Sequence, residues 1–201
     1  MITTYHEDYL YSVDLNTIDN KSLVDDCLEI EQGLVQSLSH INTGSYGTRT
    51  TALHDKYNLL TFTRPELNKL YHEMVKHITP FLETKSAYML KSWLNVYRAG
   101  QQISWHRHWP PPMRVWHGFY CAQVGESATY YKIPGLEETI TVPSKEGRLV
   151  FGKSDGDEHC SSIWTDESIP RLTLAFDIIP VDSIAKTVKV NHFIPFKNFG
   201  V

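Results

Sequence analysis

The sequence contains few cysteines and no long apolar run. Its three cysteines, Cys27, Cys121 and Cys160, form neither the closely spaced pairs of a zinc site nor the even-numbered framework of a disulfide-rich secreted domain. This pattern favours a reducing compartment. No stretch reaches the roughly 18 apolar residues that span a membrane, and the first residues do not resemble a signal peptide. We therefore expect a cytoplasmic protein without a membrane partner.

The sequence also has no excess of positive charge. Its 19 Lys and Arg residues against 23 Asp and Glu residues give a formal net charge of −4. Such a chain has no overall attraction to the phosphate backbone, so we do not expect a nucleic-acid partner. No internal repeat, low-complexity tract or linker is present, and 201 residues are enough for one substantial core. We expect a single globular domain.

The first 85 residues predict a strand followed by helices. Residues 9 to 15 alternate between apolar and polar types as a strand does, and Asp19 or Asn20 can cap a helix after it. A second helix is indicated where Thr63 and Glu66 have the spacing of a capping box, with a proline in the first turn and apolar residues at helical spacing beyond it. Residues 44 to 51, between the helices, read as a polar loop.

After about residue 86 the pattern changes to short apolar or aromatic runs separated by Gly and Pro. Several short strands with turn signals favour a β-sandwich or barrel over a parallel sheet. Because the helices come first in the sequence, we expect them to pack on one face of the sheet. The strands are predicted at residues 87–98, 116–124, 128–133, 138–142, 148–151, 162–164 and 172–179.

Three histidines suggest a metal site. Side chains alternate faces along an extended strand, so His106 and His108 point the same way and can bind one ion. Neutral imidazole is a common metal ligand. A third ligand must come from elsewhere, and His159 lies near the end of another predicted strand, which an antiparallel sheet can bring alongside. The alternative is that these are unrelated histidines among the 10 in the chain.

Three segments resemble the iron(II)- and 2-oxoglutarate-dependent oxygenases, particularly the prolyl hydroxylase-like group. Residues 93 to 108 resemble the first metal-ligand strand, in which a Tyr-x-x-Gly precedes His-x-Asp. Residues 147 to 159 are similar to the later strand, turn and distal His, and residues 170 to 176 resemble the Arg-x-Ser/Thr strand. The similarity covers roughly residues 86 to 180.

This resemblance implies a mainly β fold with supporting α-helices, a double-stranded β-helix or jelly roll. Residues 1 to 85 would provide helical support and a first strand, residues 86 to 180 the jelly-roll core, and residues 181 to 201 a C-terminal extension of the single domain. The metal would be Fe(II), held by His106, His108 and His159.

One ligand departs from the family pattern. His108 stands where the family usually has Asp or Glu, so three neutral imidazoles would leave an iron(II) centre at a net charge of +2 rather than +1. This charge should strengthen the hold on an anionic cosubstrate. Some cupin-type dioxygenases use three histidines on a similar barrel and need no 2-oxoglutarate. Asp157 is an alternative ligand, because it would share a face with His159 if the backbone there is extended.

Arg171 is the feature that favours 2-oxoglutarate. The far carboxylate of that cosubstrate needs a buried cation, and a planar guanidinium can donate to both of its oxygens. Thr173 lies on the same strand face and can donate a further hydrogen bond. The resemblance adds Tyr97 and Tyr120 as cosubstrate ligands. The alternatives are that Arg171 pairs with a nearby carboxylate and that the two tyrosines pack the barrel.

The function that the sequence favours is an oxidoreductase, a dioxygenase that hydroxylates a protein side chain or a small molecule. The resemblance implies that 2-oxoglutarate is converted to succinate and CO₂ as the substrate is hydroxylated. Two alternatives remain open. One is a three-histidine dioxygenase of cupin type acting without 2-oxoglutarate, and the other is a noncatalytic jelly-roll module that binds a ligand.

Overall fold

The computed structural model of the protein describes residues 1–37, 43–187 and 192–197. The strands are β1 Ile2–His6, β2 Leu10–Asp14, β3 Tyr88–Tyr97, β4 Val115–Gln123, β5 Ala128–Lys132, β6 Ile140–Pro143, β7 Arg148–Ser154, β8 Glu158–Ser161, β9 Arg171–Pro180 and β10 Ile194–Lys197. The helices are α1 Asn20–Ser37, α2 Arg49–Ala52, α3 Pro65–Ile78 and α4 Val181–Thr187. Short 3-10 turns lie at Gly44–Tyr46, Leu59–Thr61, Thr79–Phe81 and Pro111–Met113.

The strands form two antiparallel sheets. The larger has seven strands in the order β1-β2-β7-β4-β9-β3-β10, and the smaller has three in the order β6-β5-β8. A single backbone bridge joins His106 to His159 and continues the small sheet beyond β8. Strands that are neighbours in these sheets are often far apart in the sequence. The two segments predicted to contain metal ligands, around His106 and around His159, meet in this way at the edge of the small sheet.

The central strands of the large sheet are buried on both faces. Every residue of β9 is buried, as expected where a strand is covered on both sides. One face packs against helices, with Leu23 and Cys27 of α1 and Leu70 and Met74 of α3 in the same core as the strands. The other face lines an interior cavity. The two predicted helices, α1 and α3, therefore support the sheet from one side, as predicted.

Asp19 caps α1, which begins at Asn20, by accepting a hydrogen bond from the backbone N–H of Ser22 at 3.2 Å. The predicted capping box of the second helix is wrong. The N-cap of α3 is Arg64, which makes no side-chain cap hydrogen bond. The Glu66 carboxylate instead accepts the backbone N–H of Asp19 at 2.9 Å, so a tertiary contact between the two helix starts replaces the local one.

One predicted strand is wrong. Residues 162–164 are outside any strand, and the ladder lies just before them, in β8. The Trp164 indole N–H donates to the carbonyl of Ile169 at 2.8 Å, so this residue closes a loop. The sequence did not indicate β1, α4 or β10. Residues 188–191 and 198–201 of the predicted C-terminal extension lie outside the described residues. Among the described helices, none has the length and apolar character required to cross a bilayer.

Gly118 in β4 is required by close packing between strands. A Cβ there would lie 2.1 Å from the carbonyl oxygen of Val150 and 2.6 Å from the ring of Phe176. We predict that Gly118→Ala lowers the free energy of unfolding by about 2 kcal/mol or more, because backbone atoms must move. The control is Gly33→Ala in α1, where an added Cβ meets nothing within 4 Å. This substitution should raise the free energy of unfolding by roughly 0.5–1 kcal/mol, because alanine favours the helix over glycine. Urea unfolding of both variants tests this, and a shift of the same sign in both would contradict it.

Candidate metal centre

The cavity-facing side chains of β3 and β9 form a ladder of cross-strand pairs. Alternation along each strand places every second residue on the inner face. The pairs, from one end to the other, are Tyr97 with Arg171, Asn95 with Thr173, Trp93 with Ala175 and Lys91 with Asp177. Arg171 and Asp177 therefore lie at opposite ends of one row, with the polar and aromatic residues between them.

The structure brings His106, His108 and His159 together beside this row. The ring centroids of His106 and His159 are 4.2 Å apart, those of His106 and His108 5.2 Å, and those of His108 and His159 5.0 Å. One nitrogen from each ring lies within 4.8 Å of the others. The backbone bridge between His106 and His159, with N···O distances of 3.1 and 3.0 Å, fixes the two segments to each other.

Nδ1 of each of these imidazoles is hydrogen-bonded to an oxygen atom. The distances are 2.8 Å from His106 to the carbonyl of Ser104, 2.8 Å from His108 to Oδ1 of Asp177 and 3.3 Å from His159 to Oδ2 of Asp157. Since these oxygens accept, Nδ1 is the donor in each ring and Nε2 retains its lone pair. Metal-binding histidines in proteins are commonly oriented in this way.

Two of the imidazoles, those of His106 and His159, are in the protonation state that a metal needs. Burial lowers the pKa of His106 to about 4, and the neighbouring His108 ring acts in the same direction. Burial also holds the pKa of His159 well below its usual range. Both rings are therefore neutral at pH 7 and can bind a cation without first losing a proton.

Two buried carboxylates stand directly behind the histidines. Asp157 is 1% exposed and Asp177 5%. Burial acts to raise the pKa of each, but His117 and His159 beside Asp157, and His108 and Trp109 beside Asp177, lower it below the usual range. Each group is therefore an anion one hydrogen bond away from a candidate ligand. These charges partly offset the absence of a ligand carboxylate at position 108.

Asp157 belongs to a second group of potential ligands. Its Oδ2 lies 3.2 Å from Nε2 of the buried His117 and 3.3 Å from Nδ1 of His159, and these three residues also meet within 4.8 Å. Hydrogen bonding accounts for this arrangement without an ion. The structure therefore groups Asp157 with His117 and His159, and does not group it with His106 and His108.

Arg171 lies buried in the cavity, and no described residue provides it with an anionic partner. It is 3% exposed, its Nη2 donates to Oγ1 of Thr129 at a long 3.5 Å, and its Nε has no hydrogen-bond partner. None of the ion pairs formed by the described residues includes it, so the expected alternative of a nearby carboxylate is not seen. Burying an unpaired cation is costly, and burial lowers the pKa of Arg171. An anion entering this cavity would relieve that cost.

Thr173 and Tyr97 line the same cavity as Arg171. Oγ1 of Thr173 accepts a hydrogen bond from Asn95 at 3.2 Å, and Asn95 in turn accepts one from Thr51 at 2.7 Å. Burial raises the pKa of Tyr97 to about 12, so its hydroxyl stays protonated and can donate. The interior therefore offers a guanidinium and hydroxyl groups at one end and imidazoles at the other.

The structure does not place Tyr120 with the other predicted residues. Its hydroxyl donates to Asn20 of α1 at 2.7 Å, on the helix side of the sheet. Phe119 lines the cavity, so strand alternation turns the next residue away. Tyr131 of β5 takes a place in the cavity instead, stacked on His159 with ring centroids 5.2 Å apart. No motif in the sequence pointed to Tyr131.

A second cavity of about 320 Å³ opens on the other side of the histidines. His106, His108 and Trp93 border both cavities. Tyr46 and Thr51 also line the outer cavity, so the segment predicted as a plain polar loop contains a short turn and α2 and forms one of its walls. The candidate metal ligands thus lie between an inner cavity that contains Arg171 and an outer one that faces solvent.

No protein-family model matches the sequence, and no curated protein matches it. Solved structures do resemble the fold. The nickel complex of the non-heme monooxygenase ThoJ is 13% identical with a TM-score of 0.58, covering 93% of this chain and 80% of ThoJ. The epimerase SnoN in complex with Fe³⁺, alpha ketoglutarate and nogalamycin RO is 13% identical with a TM-score of 0.57, covering 87% and 80%. A Pseudomonas putida prolyl-4-hydroxylase is 10% identical with a TM-score of 0.55, covering 85% and 92%.

These structures include an epimerase bound to Fe³⁺ and alpha ketoglutarate and a prolyl-4-hydroxylase. At such low identity the likeness shows the fold. The predicted architecture, mainly β with supporting helices and a double-stranded β-helix or jelly roll, is confirmed. The chemistry must be argued from the residues of this chain.

Asp177 is predicted to position His108. In Asp177→Asn the charge is lost, and one amide oxygen must replace the two carboxylate oxygens that accept from His108 and Trp109. We expect Ni(II) affinity, measured by titration calorimetry, to fall about 10- to 100-fold. Asp155→Asn makes the same chemical change at an exposed position and should bind Ni(II) as the wild type does. Equal affinity in both variants would contradict the positioning role.

Proposed function

We propose that the protein is an iron(II)- and 2-oxoglutarate-dependent dioxygenase that hydroxylates an organic substrate. The observation that carries the proposal is the pairing of two features in one cavity. Three imidazoles converge on a point, and a buried guanidinium that has no anionic partner among the described residues lies along the same row of side chains. A keto acid with a second carboxylate matches both features at once.

The donor set suits iron(II). Imidazole is a good ligand for divalent iron, zinc, copper and nickel, and three of them leave other coordination positions for a cosubstrate. When bound, iron(II) supplies the redox chemistry by which O₂ and 2-oxoglutarate are converted to succinate and CO₂ with hydroxylation of a C–H bond. His106, His108 and His159 would hold the ion. The carboxylates of Asp157 and Asp177 would fix two of these rings and lower the cost of burying the cation.

The side chains that line the inner cavity match the polar groups of 2-oxoglutarate, and the cavity, about 50 Å³ in this structure, would widen to admit it. Arg171 can donate two parallel hydrogen bonds to the far carboxylate of the cosubstrate, and Thr173 and the protonated Tyr97 hydroxyl can contribute others. The 2-oxo acid end would then face the histidines. Phe119 and Tyr131 complete an apolar lining that excludes water from the reacting atoms.

The two alternatives make different demands on the same residues. A three-histidine dioxygenase acting without 2-oxoglutarate is favoured by His108, but it gives no reason for an unpaired buried Arg171. A noncatalytic module gives no reason for three oriented imidazoles. Oxygen uptake with matching succinate formation from 2-oxoglutarate, dependent on Fe(II), distinguishes the proposed function from both alternatives, and Fe(II) binding distinguishes the alternatives from each other.

We predict that different substitutions abolish metal binding and weaken cosubstrate binding. His106→Ala and His159→Ala each remove one of three ligands and should abolish Fe(II) retention. Arg171→Met should retain Fe(II) but weaken 2-oxoglutarate binding about 30-fold or more, because a buried charge pair is lost. Metal analysis and calorimetric titration with 2-oxoglutarate under anaerobic conditions measure both effects.

The controls for these variants are matched residues at the surface. His77→Ala changes a histidine of α3 that bonds Glu73, and Arg98→Met changes an arginine paired with Glu31. Both should bind metal and cosubstrate as the wild type does. Fe(II) retention in both ligand variants would overturn the metal assignment, and unchanged 2-oxoglutarate affinity in Arg171→Met would overturn the assignment of the cosubstrate cavity.

A further inference from the structure

A continuous series of aromatic rings runs from the surface to the metal histidines along the outer cavity. Tyr46, which is 40% exposed, contacts His54 with ring centroids 5.4 Å apart. His54 contacts Trp93 at 5.8 Å, and Trp93 contacts His108 at 5.8 Å. Such a wall offers π-surface to a flat molecule along its whole length.

Lys91 is the charge in this cavity that has no carboxylate within ion-pair distance among the described residues; its ammonium lies 5.9 Å from the centroid of the Phe193 ring. It lies on the inner face of β3 directly across from Asp177, whose two oxygens are already used by His108 and Trp109. No ion pair among the described residues includes Lys91. Burial lowers the pKa of Lys91, while Asp177 acts to raise it, and the amine is cationic at neutral pH.

The other charges at the outer cavity are committed. Arg107 also borders it, but its guanidinium pairs with Glu158 at 3.1 Å. Burial, followed by the charge of Lys91, lowers the pKa of His54, so this ring presents a neutral face. Within the described part of the chain, the cavity therefore combines a cation that no carboxylate pairs with and aromatic walls, next to the candidate metal ligands.

We propose that the outer cavity is the substrate site and that the substrate is a small ring-bearing molecule with an anionic group. The ring would lie on the wall formed by Trp93 and His54, and the anion would pair with Lys91. This inference rests on the proposed function, since it identifies the substrate class of that same site. The C–H bond to be hydroxylated would then be on the ring or its nearest substituent, with O₂ and 2-oxoglutarate as the oxidants and succinate and CO₂ as the other products.

The dimensions of the cavity fit a small molecule. Its volume of about 320 Å³ is at the lower end of the range of small-molecule sites, roughly 300–1,000 Å³, and holds one ring system with its substituents. Anionic ligands gain from pairing with a desolvated ammonium, and a flat ring gains from the aromatic wall. Both gains together should select an aromatic acid over its neutral analogue.

The test uses 2-naphthoate as the anionic probe and 2-naphthalenemethanol as its neutral counterpart, titrated calorimetrically into the full-length protein with and without Ni(II). We expect the acid to bind at least tenfold more tightly than the alcohol. Lys91→Met should remove that preference and Lys91→Arg should largely restore it. Lys21→Met, at an exposed position on α1, is the control and should change nothing. Tyr46→Ala should weaken binding of both probes.

Failure of this inference can be told apart from failure of the proposed function. Arg171→Met should bind 2-naphthoate like the wild type, and 2-oxoglutarate should not displace the probe. If 2-naphthoate binding depends on Lys91 while Fe(II) and 2-oxoglutarate do not bind, the substrate site stands and the oxygenase proposal falls. If metal and cosubstrate bind but 2-naphthoate binds equally to wild type and Lys91→Met, or is displaced by 2-oxoglutarate, the substrate inference is overturned.

Discussion

Side-chain alternation along the paired strands β3 and β9 is the constraint on which the site depends. Because both strands are continuous and in register, their inner faces carry one row of functional groups, from Arg171 at one end to Lys91 and Asp177 at the other. The histidines approach this row from the small sheet, joined through the backbone bridge of His106 and His159. A slip of one residue in the register would turn the whole row toward the helices.

The electrostatics of the interior follow from where each charge finds a partner. Asp157 is shared by His117 and His159, and Asp177 by His108 and Trp109, so hydrogen bonds stabilise the two carboxylates as anions and orient the imidazoles. The cations of Arg171 and Lys91 have no such partner among the described residues. As far as the described residues show, the inner and outer cavities therefore each present one cation without a carboxylate partner, with the candidate metal ligands between them. That arrangement suits two different anionic molecules on either side of a metal.

Local sequence patterns are enough to identify the groups that alternate within one strand. The i, i+2 spacing of Arg171 and Thr173 places that pair on one face of β9 from the sequence alone. His106 and His108 also lie close together, but in a segment between β3 and β4 where His106 forms only the isolated bridge to His159. The same alternation places Tyr120 and His117, which are an odd number of residues apart in β4, on opposite faces of the sheet. It also places Asp177, a charged residue in a mostly apolar strand, on the same face of β9 as Arg171, because their spacing is even. The role of Tyr131 and the contact between Glu66 and Asp19 depend on tertiary packing, which no local pattern records.

The most direct test of the metal centre is a crystal structure of the protein soaked with Ni(II) and N-oxalylglycine, a redox-inert mimic of 2-oxoglutarate. The account predicts one anomalous peak bonded to Nε2 of His106, His108 and His159, with the far carboxylate of the mimic on Arg171. A metal bound by His117 and Asp157 instead, or a mimic whose carboxylate lies away from Arg171, would contradict it.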